Sequence, residues 1–269
     1  MQYQVHDKIL RYNPEGKTIQ GNEEILVENA IDLTKKTSWA NSGYSIQPLF
    51  DAHTFNSFES NTHKILLSLW QRAGLNIPSP FSIDQYHFLI QQYADHLRAI
   101  DKTKLLGVSD FPVDIKILEN RISEICQEKL EVKNPFDSQS IYHFRIIRPN
   151  TNDNNPLHRD VWLADYDDCI NLYIPIAGSN EDSSLILIPT SHRWKESEIE
   201  RTEHGAVING VRFNVPAVTS INRDYQAIRG NPGRNEVLVF SPYLIHGGSI
   251  NLHPAKTRIS IEIRLWKKS

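Results

Sequence analysis

The 269-residue sequence contains only two cysteines, Cys126 and Cys169, with no partner pattern between them. That excludes a disulfide framework and fits a reducing compartment. Charge of one sign is also lacking: 29 Lys and Arg stand against 32 Asp and Glu, a net charge of −3. A nucleic acid or an anionic membrane would select a basic surplus, so neither is expected as a partner. Long hydrophobic runs are missing too. The opening M-Q-Y-Q-V-H-D-K is polar and holds no apolar signal core. No stretch approaches the ~20 apolar residues of a membrane helix. There is no internal repeat and no low-complexity tract. With 39% apolar and 23% charged residues, the chain can bury one sizeable core, and a soluble cytoplasmic protein is expected.

What is present falls into two textures. Residues 55–131 read as helical. Ser82 with Gln85 three positions on forms a capping-box pattern, and Ile83, Tyr86, Ile90, Tyr93 and Leu97 then recur at helical spacing. Ile115, Leu118, Ile122 and Ile125 repeat that spacing, and F-N-S-F-E-S-N-T-H-K-I-L-L-S-L-W supplies a third helix. From residue 140 short β-branched runs take over: I-Y-H-F-R-I-I, C-I-N-L-Y-I-P-I, L-I-L-I-P, E-V-L-V-F and T-R-I-S-I-E-I-R-L-W. In A-V-I-N-G-V-R-F-N-V an Asn-Gly pair between alternating apolar residues marks a hairpin. Strands without intervening helices indicate an antiparallel sandwich or barrel. The expectation is one domain over 1–269: a helical part over about 1–135 packed on a β core over about 140–266.

Residues 154–162, N-N-P-L-H-R-D-V-W, contain the His-Arg-Asp of a protein-kinase catalytic loop. A kinase also needs an Asn where position 165 is Asp, a glycine-rich loop upstream and Asp-Phe-Gly downstream. All are missing, which excludes that reading. His158-x-Asp160 is also a pair of metal ligands at strand spacing, since residues i and i+2 of an extended chain share a face. With eleven histidines in the chain, one such triplet is expected by chance, and a surface turn would account for it.

The rest of the β half raises its weight. E-V-L-V-F-S-P-Y-L-I-H-G-G-S places His246 at a strand end, before two glycines that let backbones approach closely. Two imidazoles and one carboxylate make the facial triad of non-haem Fe(II) oxygenases, with positions left for cosubstrate and oxygen. Such an enzyme needs a cation for the far carboxylate of 2-oxoglutarate. Arg258 is the candidate, on a strand where Arg258, Ser260, Glu262 and Arg264 alternate with Ile259, Ile261, Ile263 and Leu265. The plain alternative is a half-exposed strand facing water. Arg258 with Ser260 matches an Arg-x-Ser pairing in which guanidinium and hydroxyl share a carboxylate.

Over residues 140–266 the chain resembles the phytanoyl-CoA dioxygenase family of Fe(II)/2-oxoglutarate oxygenases. Four blocks carry the resemblance in order: P-L-H-R-D-V-W; I-N-L-Y-I-P-I followed by L-I-L-I-P-T-S-H-R-W; N-P-G-R-N-E-V-L-V-F-S-P-Y-L-I-H-G-G-S; and A-K-T-R-I-S-I-E-I-R. Thr190 stands where the family's Pro-Gly-Ser-His turn has Gly. Arg234 or Asn235 replaces an acidic residue, and Tyr173 replaces a frequent Trp. Asp160 keeps the carboxylate that a halogenase lacks. The resemblance implies a double-stranded β-helix barrel of the jelly-roll or cupin kind, flanked by helices. It also implies Fe(II) at the barrel mouth, 2-oxoglutarate and O2 as cosubstrates, and hydroxylation of a small-molecule substrate as the usual outcome.

Asn171 and Tyr173 share a strand face and could meet the keto-acid end of the cosubstrate, or be ordinary strand residues. Ser249, close behind His246, could bond the same carboxylate or serve the turn. His192 is a turn residue in the family rather than a ligand. Arg145 and Arg148 are read as surface residues in preference to substrate contacts. Residues 195–232 form an insertion that is either a lid or plain packing. Two other classes stay open: a cupin-like metal protein without oxygenase activity, such as an isomerase or pseudo-enzyme, in which Arg258 is dispensable; and a binding module that takes no iron.

Overall fold

The alternation read in the last strand decides how the layers stack. A computed structural model describes residues 1–151, 155–164, 166–248 and 250–268. The strand Arg258–Lys267 lies inside a seven-stranded sheet ordered Tyr44–Pro48, Glu236–Phe240, Cys169–Ala177, Arg258–Lys267, Ile141–Ile147 and Leu106–Gly107, with Leu130–Glu131 pairing the end of Arg258–Lys267. Every pairing in it is antiparallel. Ile259, Ile261, Ile263 and Leu265 share one buried core cluster with Leu66, Trp70, Leu118 and Ile122 of the helices. Each of these side chains contributes about 1.5–3 kcal/mol by leaving water. The apolar face of the strand is therefore roofed by helices. Its polar face, with Glu262 opposite Tyr173 and His143, and Arg264 opposite Asn171, points the other way.

On that side lies a three-stranded sheet, Ile228–Gly230, Leu185–Leu187 and His246–Gly247. Leu185 and Leu187 pack against Tyr173, Leu238 and Phe240 of the large sheet, which joins the two layers. The chain is thus mostly β with some helices. The strands expected from residue 140 onward form, and the Asn-Gly hairpin closes between Ala206–Ile208 and Val211–Phe213. There Asn209 and Gly210 both adopt positive φ, 51° and 76°, as that tight turn requires.

Two of the helices follow the sequence. Helix α1, Ala52–Arg72, is capped by Asp51, whose carboxylate accepts from the His53 and Thr54 amides. The run Ile115–Cys126 is capped by Asp114 and ends at Gln127 in the left-handed region. The continuous helix expected from Ser82 does not form. Ile83–Leu89 is a 3-10 run, and an α-helix begins only at Tyr93, extending to Lys102. The Ser82 hydroxyl donates to Asp84 instead of capping, while the Asp84 carbonyl accepts from Thr257 N and His87 bonds the Thr257 hydroxyl. Docking on the start of the last strand outweighs helical spacing here. Tyr93 and Leu97, placed on the buried face by that spacing, are 50% and 46% exposed.

Residues 1–135 are also less helical than expected. Strands Gln2–Val5, Lys8–Arg11, Thr18–Gln20 and Tyr44–Pro48 precede the first helix. Tyr44–Pro48 completes the edge of the large sheet, and Thr18–Gln20 pairs with Ile199–Thr202 of the insertion. Among the described residues no helix is long and apolar enough to cross a membrane.

Candidate metal centre

Backbone pairing brings the two motif segments together. His158 and His246 exchange both amide-to-carbonyl bonds, at 2.9 and 3.0 Å, as an isolated antiparallel bridge. The Asp160 amide donates to the Pro242 carbonyl at 3.0 Å. Gly247 makes this approach feasible: its φ is 108°, and a Cβ there would lie 2.4 Å from the Pro156 carbonyl oxygen.

The three predicted ligands then converge. Asp160 Oδ1 lies 3.2 Å from His158 Nε2 and 3.6 Å from His246 Nε2, and all three side chains are buried. The His158 Nδ1 is 2.8 Å from the Pro156 carbonyl oxygen and the His246 Nδ1 is 3.0 Å from that of Leu244. Carbonyl oxygens only accept, so each Nδ1 carries a proton and Nε2 is the atom left to meet a metal. Burial, with His158 alongside, lowers His246 to about 4, which keeps it neutral. Burial alone would raise Asp160. The guanidinium of Arg264, the largest opposing influence, holds its carboxyl well below the ordinary range. Neutral imidazoles and an ionised carboxylate are the forms a cation binds.

These groups face a cavity of about 170 Å³, whose wall includes Asn171, Tyr173, Tyr166, His143, Arg145 and Glu262. Asn171 Nδ2 and Oδ1, and Ser260 Oγ, are buried and have no hydrogen-bond partner among the described residues. Such atoms are costly unless a ligand meets them. Tyr173 has its hydroxyl 2.8 Å from Ser179 Oγ. Arg258 is fully buried beneath it, its guanidinium carbon 5.5 Å from the centre of the Tyr173 ring. Arg258 and Ser260 do not line the cavity wall as Asn171 and Tyr173 do. Ser249 lies outside the described residues.

His192 is remote from this cluster. It bonds the Ala40 carbonyl through Nε2 at 3.0 Å and packs on Gly43. Arg148 stacks on Tyr93. Arg145 departs from the surface reading: it lines the cavity and binds both carboxylate oxygens of Glu262, at 2.9 to 3.3 Å. The sequence reasoning also missed Arg264, which donates from Nε and Nη2 to Asp160 Oδ2 at 3.1 and 2.7 Å. The signal was there in the polar face of the last strand, but nothing in the strand itself names Asp160 as the partner.

Two imidazoles and one carboxylate beside a cavity between antiparallel sheets are the donor set of non-haem Fe(II) oxygenases. Residues 46–259 match the family model described as Phytanoyl-CoA dioxygenase (PhyH). The chain belongs to the phytanoyl-CoA dioxygenase family, and its cofactors are Fe(II) and 2-oxoglutarate, with O2 as second cosubstrate. Among solved structures it is similar to EctD from S. alaskensis, crystallised with 2-oxoglutarate and 5-hydroxyectoine. That match has a TM-score of 0.54 and 11% identity, and covers 96% of this chain and 87% of EctD. AviO1 from Streptomyces viridochromogenes Tue57 aligns at TM-score 0.47 and 13% identity, over 85% of this chain and 91% of its own. The epimerase SnoN from nogalamycin biosynthesis aligns at 0.46 and 8%, over 85% and 79%. The likeness to EctD, the one of these three with a TM-score above 0.5, is a likeness of fold. No protein with a curated description matches.

Proposed function

We propose that the protein is a 2-oxoglutarate-dependent hydroxylase of a small molecule, built as one domain around a double-stranded β-helix barrel. His158, Asp160 and His246 hold Fe(II). The observation that carries this reading is their convergence, with both Nε2 atoms and Asp160 Oδ1 turned to one point on a cavity wall. Bound iron with 2-oxoglutarate and O2 supplies the oxidant that removes a hydrogen from the substrate.

The chain's own residues do the positioning. Arg258, which lies against the Tyr173 ring of the cavity wall, and Ser260 would receive the far carboxylate of the cosubstrate. A guanidinium and a hydroxyl are a matched pair for that group. The Asn171 amide, lacking a partner among the described residues, serves the keto-acid end, with Tyr173 beside it. Ser249 is assigned to the same cosubstrate on sequence grounds. The insertion 195–232 acts as a lid: its Val215 already lines the cavity.

The test is an anaerobic titration of Fe(II) and then 2-oxoglutarate into metal-free protein, following the weak visible charge-transfer band of the chelate. The band is expected in wild type, absent in His158→Ala and weakened in Arg258→Ala. Iron uptake without a band would transfer the protein to the non-oxygenase metal class, and no uptake would leave a binding module.

A further inference from the structure

We infer that Arg264 is a positioning residue for the metal centre, holding Asp160 so that its carboxylate meets the ion through Oδ1 alone. This rests on the oxygenase reading and concerns a residue that reading does not use. Both donors that Arg264 directs at Asp160, Nε at 3.1 Å and Nη2 at 2.7 Å, go to the same oxygen, Oδ2. The other oxygen, Oδ1, is the one 3.2 and 3.6 Å from the two imidazole nitrogens. The two oxygens of one carboxylate are thus divided between a guanidinium and the metal position.

A second arginine in the same cavity pairs with its carboxylate differently. Arg145 spreads Nε and Nη2 over both oxygens of Glu262 and closes that pair on itself. Arg264 is fixed from two other sides. Its backbone lies in the large sheet opposite Asn171, and its guanidinium carbon sits 4.3 Å from the centre of the Tyr166 ring. The Asp160 amide is tied to Pro242, so neither end of the contact drifts freely.

The division matters because carboxylates bind cations through one oxygen or two. Three protein atoms leave three positions on an octahedral ion, enough for a keto acid and oxygen. A carboxylate free to use both oxygens would take one of them. Arg264 holds Asp160 to one.

The experiment compares wild type, Arg264→Met and Arg264→Lys, each loaded with Co(II) without air, with circular dichroism confirming the fold. The visible Co(II) spectrum, whose band positions and intensity respond to the donor set and its distortion from a regular octahedron, is read before any cosubstrate is added; 2-oxoglutarate is then titrated in. We expect Arg264→Met to bind Co(II) within about threefold of wild type, to show an altered spectrum, and to lose about tenfold or more in 2-oxoglutarate affinity. Arg264→Lys, whose ammonium can still donate to Oδ2, should recover the wild-type spectrum in large part. If Arg264→Met does not fold, Tyr166→Leu, which removes the stacking ring and leaves the strand intact, should shift the spectrum in the same direction. A wild-type-like Co(II) spectrum in Arg264→Met, or in Tyr166→Leu where that variant stands in, overturns this inference while the oxygenase reading survives. Wild type that takes up neither ion nor 2-oxoglutarate overturns both.

Discussion

Arg159 and Glu196 form a buried ion pair directly behind the candidate metal centre: Arg159 has no exposed surface and Glu196 is 6% exposed. The middle residue of His-Arg-Asp therefore points away from its neighbours. His158 and Asp160 face the cavity, while Arg159 reaches back to Glu196 and to the Ser191 carbonyl. Trp162 adds a bond from its indole nitrogen to Glu196 at 2.9 Å. Removing Glu196 alone leaves a buried guanidinium uncompensated, at a cost of about 3–5 kcal/mol. Glu196→Ala is expected to lower the denaturant midpoint accordingly. The double variant Arg159→Met, Glu196→Leu should recover more than half of the loss. Additive losses in the double variant would show that the pair is not coupled.

Thr190 occupies the left-handed region, φ 68° and ψ −10°, where the family's turn has glycine. Its amide donates to Ser42 and its hydroxyl accepts from the Trp194 indole at 3.3 Å, so the turn forms despite the Cβ. The left-handed conformation costs a residue with Cβ about 1–2 kcal/mol. Thr190→Gly and Thr190→Ala both delete the hydroxyl, but only Ala keeps that strain. Thermal melts should therefore rank Gly above Ala by about 1 kcal/mol, the reverse of the usual order, in which Gly is the less stable by about 0.5–1 kcal/mol.

The same two positions show where sequence reasoning reached and where it stopped. The convergence of His158, Asp160 and His246 was legible because it rests on spacing within one short segment and on a residue type with few other uses, whereas the missing glycine at Thr190 left the form of that turn open. The alternation of Arg258–Lys267 gave away both faces of its sheet, since a period of two has one structural meaning. Tyr44–Pro48 was not legible. Its five residues become a strand only by pairing with Glu236–Phe240, a partner far along the chain that local pattern does not reveal. The helix expected from Ser82 failed for the converse reason: good local spacing was overridden by the Thr257 amide donating to the Asp84 carbonyl and by the bond between His87 and the Thr257 hydroxyl. Arg145, Glu262 and Arg264 were visible as polar residues, but their pairing is a property of three dimensions.

Glu262 carries a pH dependence separable from the metal centre. Burial would raise its pKa, but the charge and hydrogen bonds of Arg145, with Arg258 and Arg264 nearby, bring it from an ordinary 4.5 down to about 2. A carboxylate depressed in the folded state contributes stability that is fully present above 4.5 and is lost as pH falls from there toward 2. The shift corresponds to roughly 3 kcal/mol. Urea unfolding of wild type between pH 6 and pH 3 should show that loss as part of the total acid sensitivity. Arg145→Met removes the main cause of the depression, so its stability should be lower at pH 6 and fall less steeply below 4.5. Parallel slopes in the two proteins would rule out this assignment.

Gly247 ties the geometry of the backbone to ion binding. Its amide neighbour His246 is bridged to His158, and the space a side chain would need is taken by the Pro156 carbonyl at 2.4 Å and His158 Nδ1 at 3.1 Å. A methyl group there meets backbone, which has little room to give, at a φ of 108° that residues with a Cβ rarely adopt. Gly247→Ala should push the His158 segment away from His246 and open the distance between their Nε2 atoms. The expected result is a fall of at least about tenfold in Fe(II) affinity, with the strand core kept, because the large sheet does not include Gly247. Calorimetric titration with Fe(II) under nitrogen, beside a far-ultraviolet spectrum, separates the two effects. Unchanged affinity in a folded Gly247→Ala protein would mean that the bridge between the two histidines does not set their spacing.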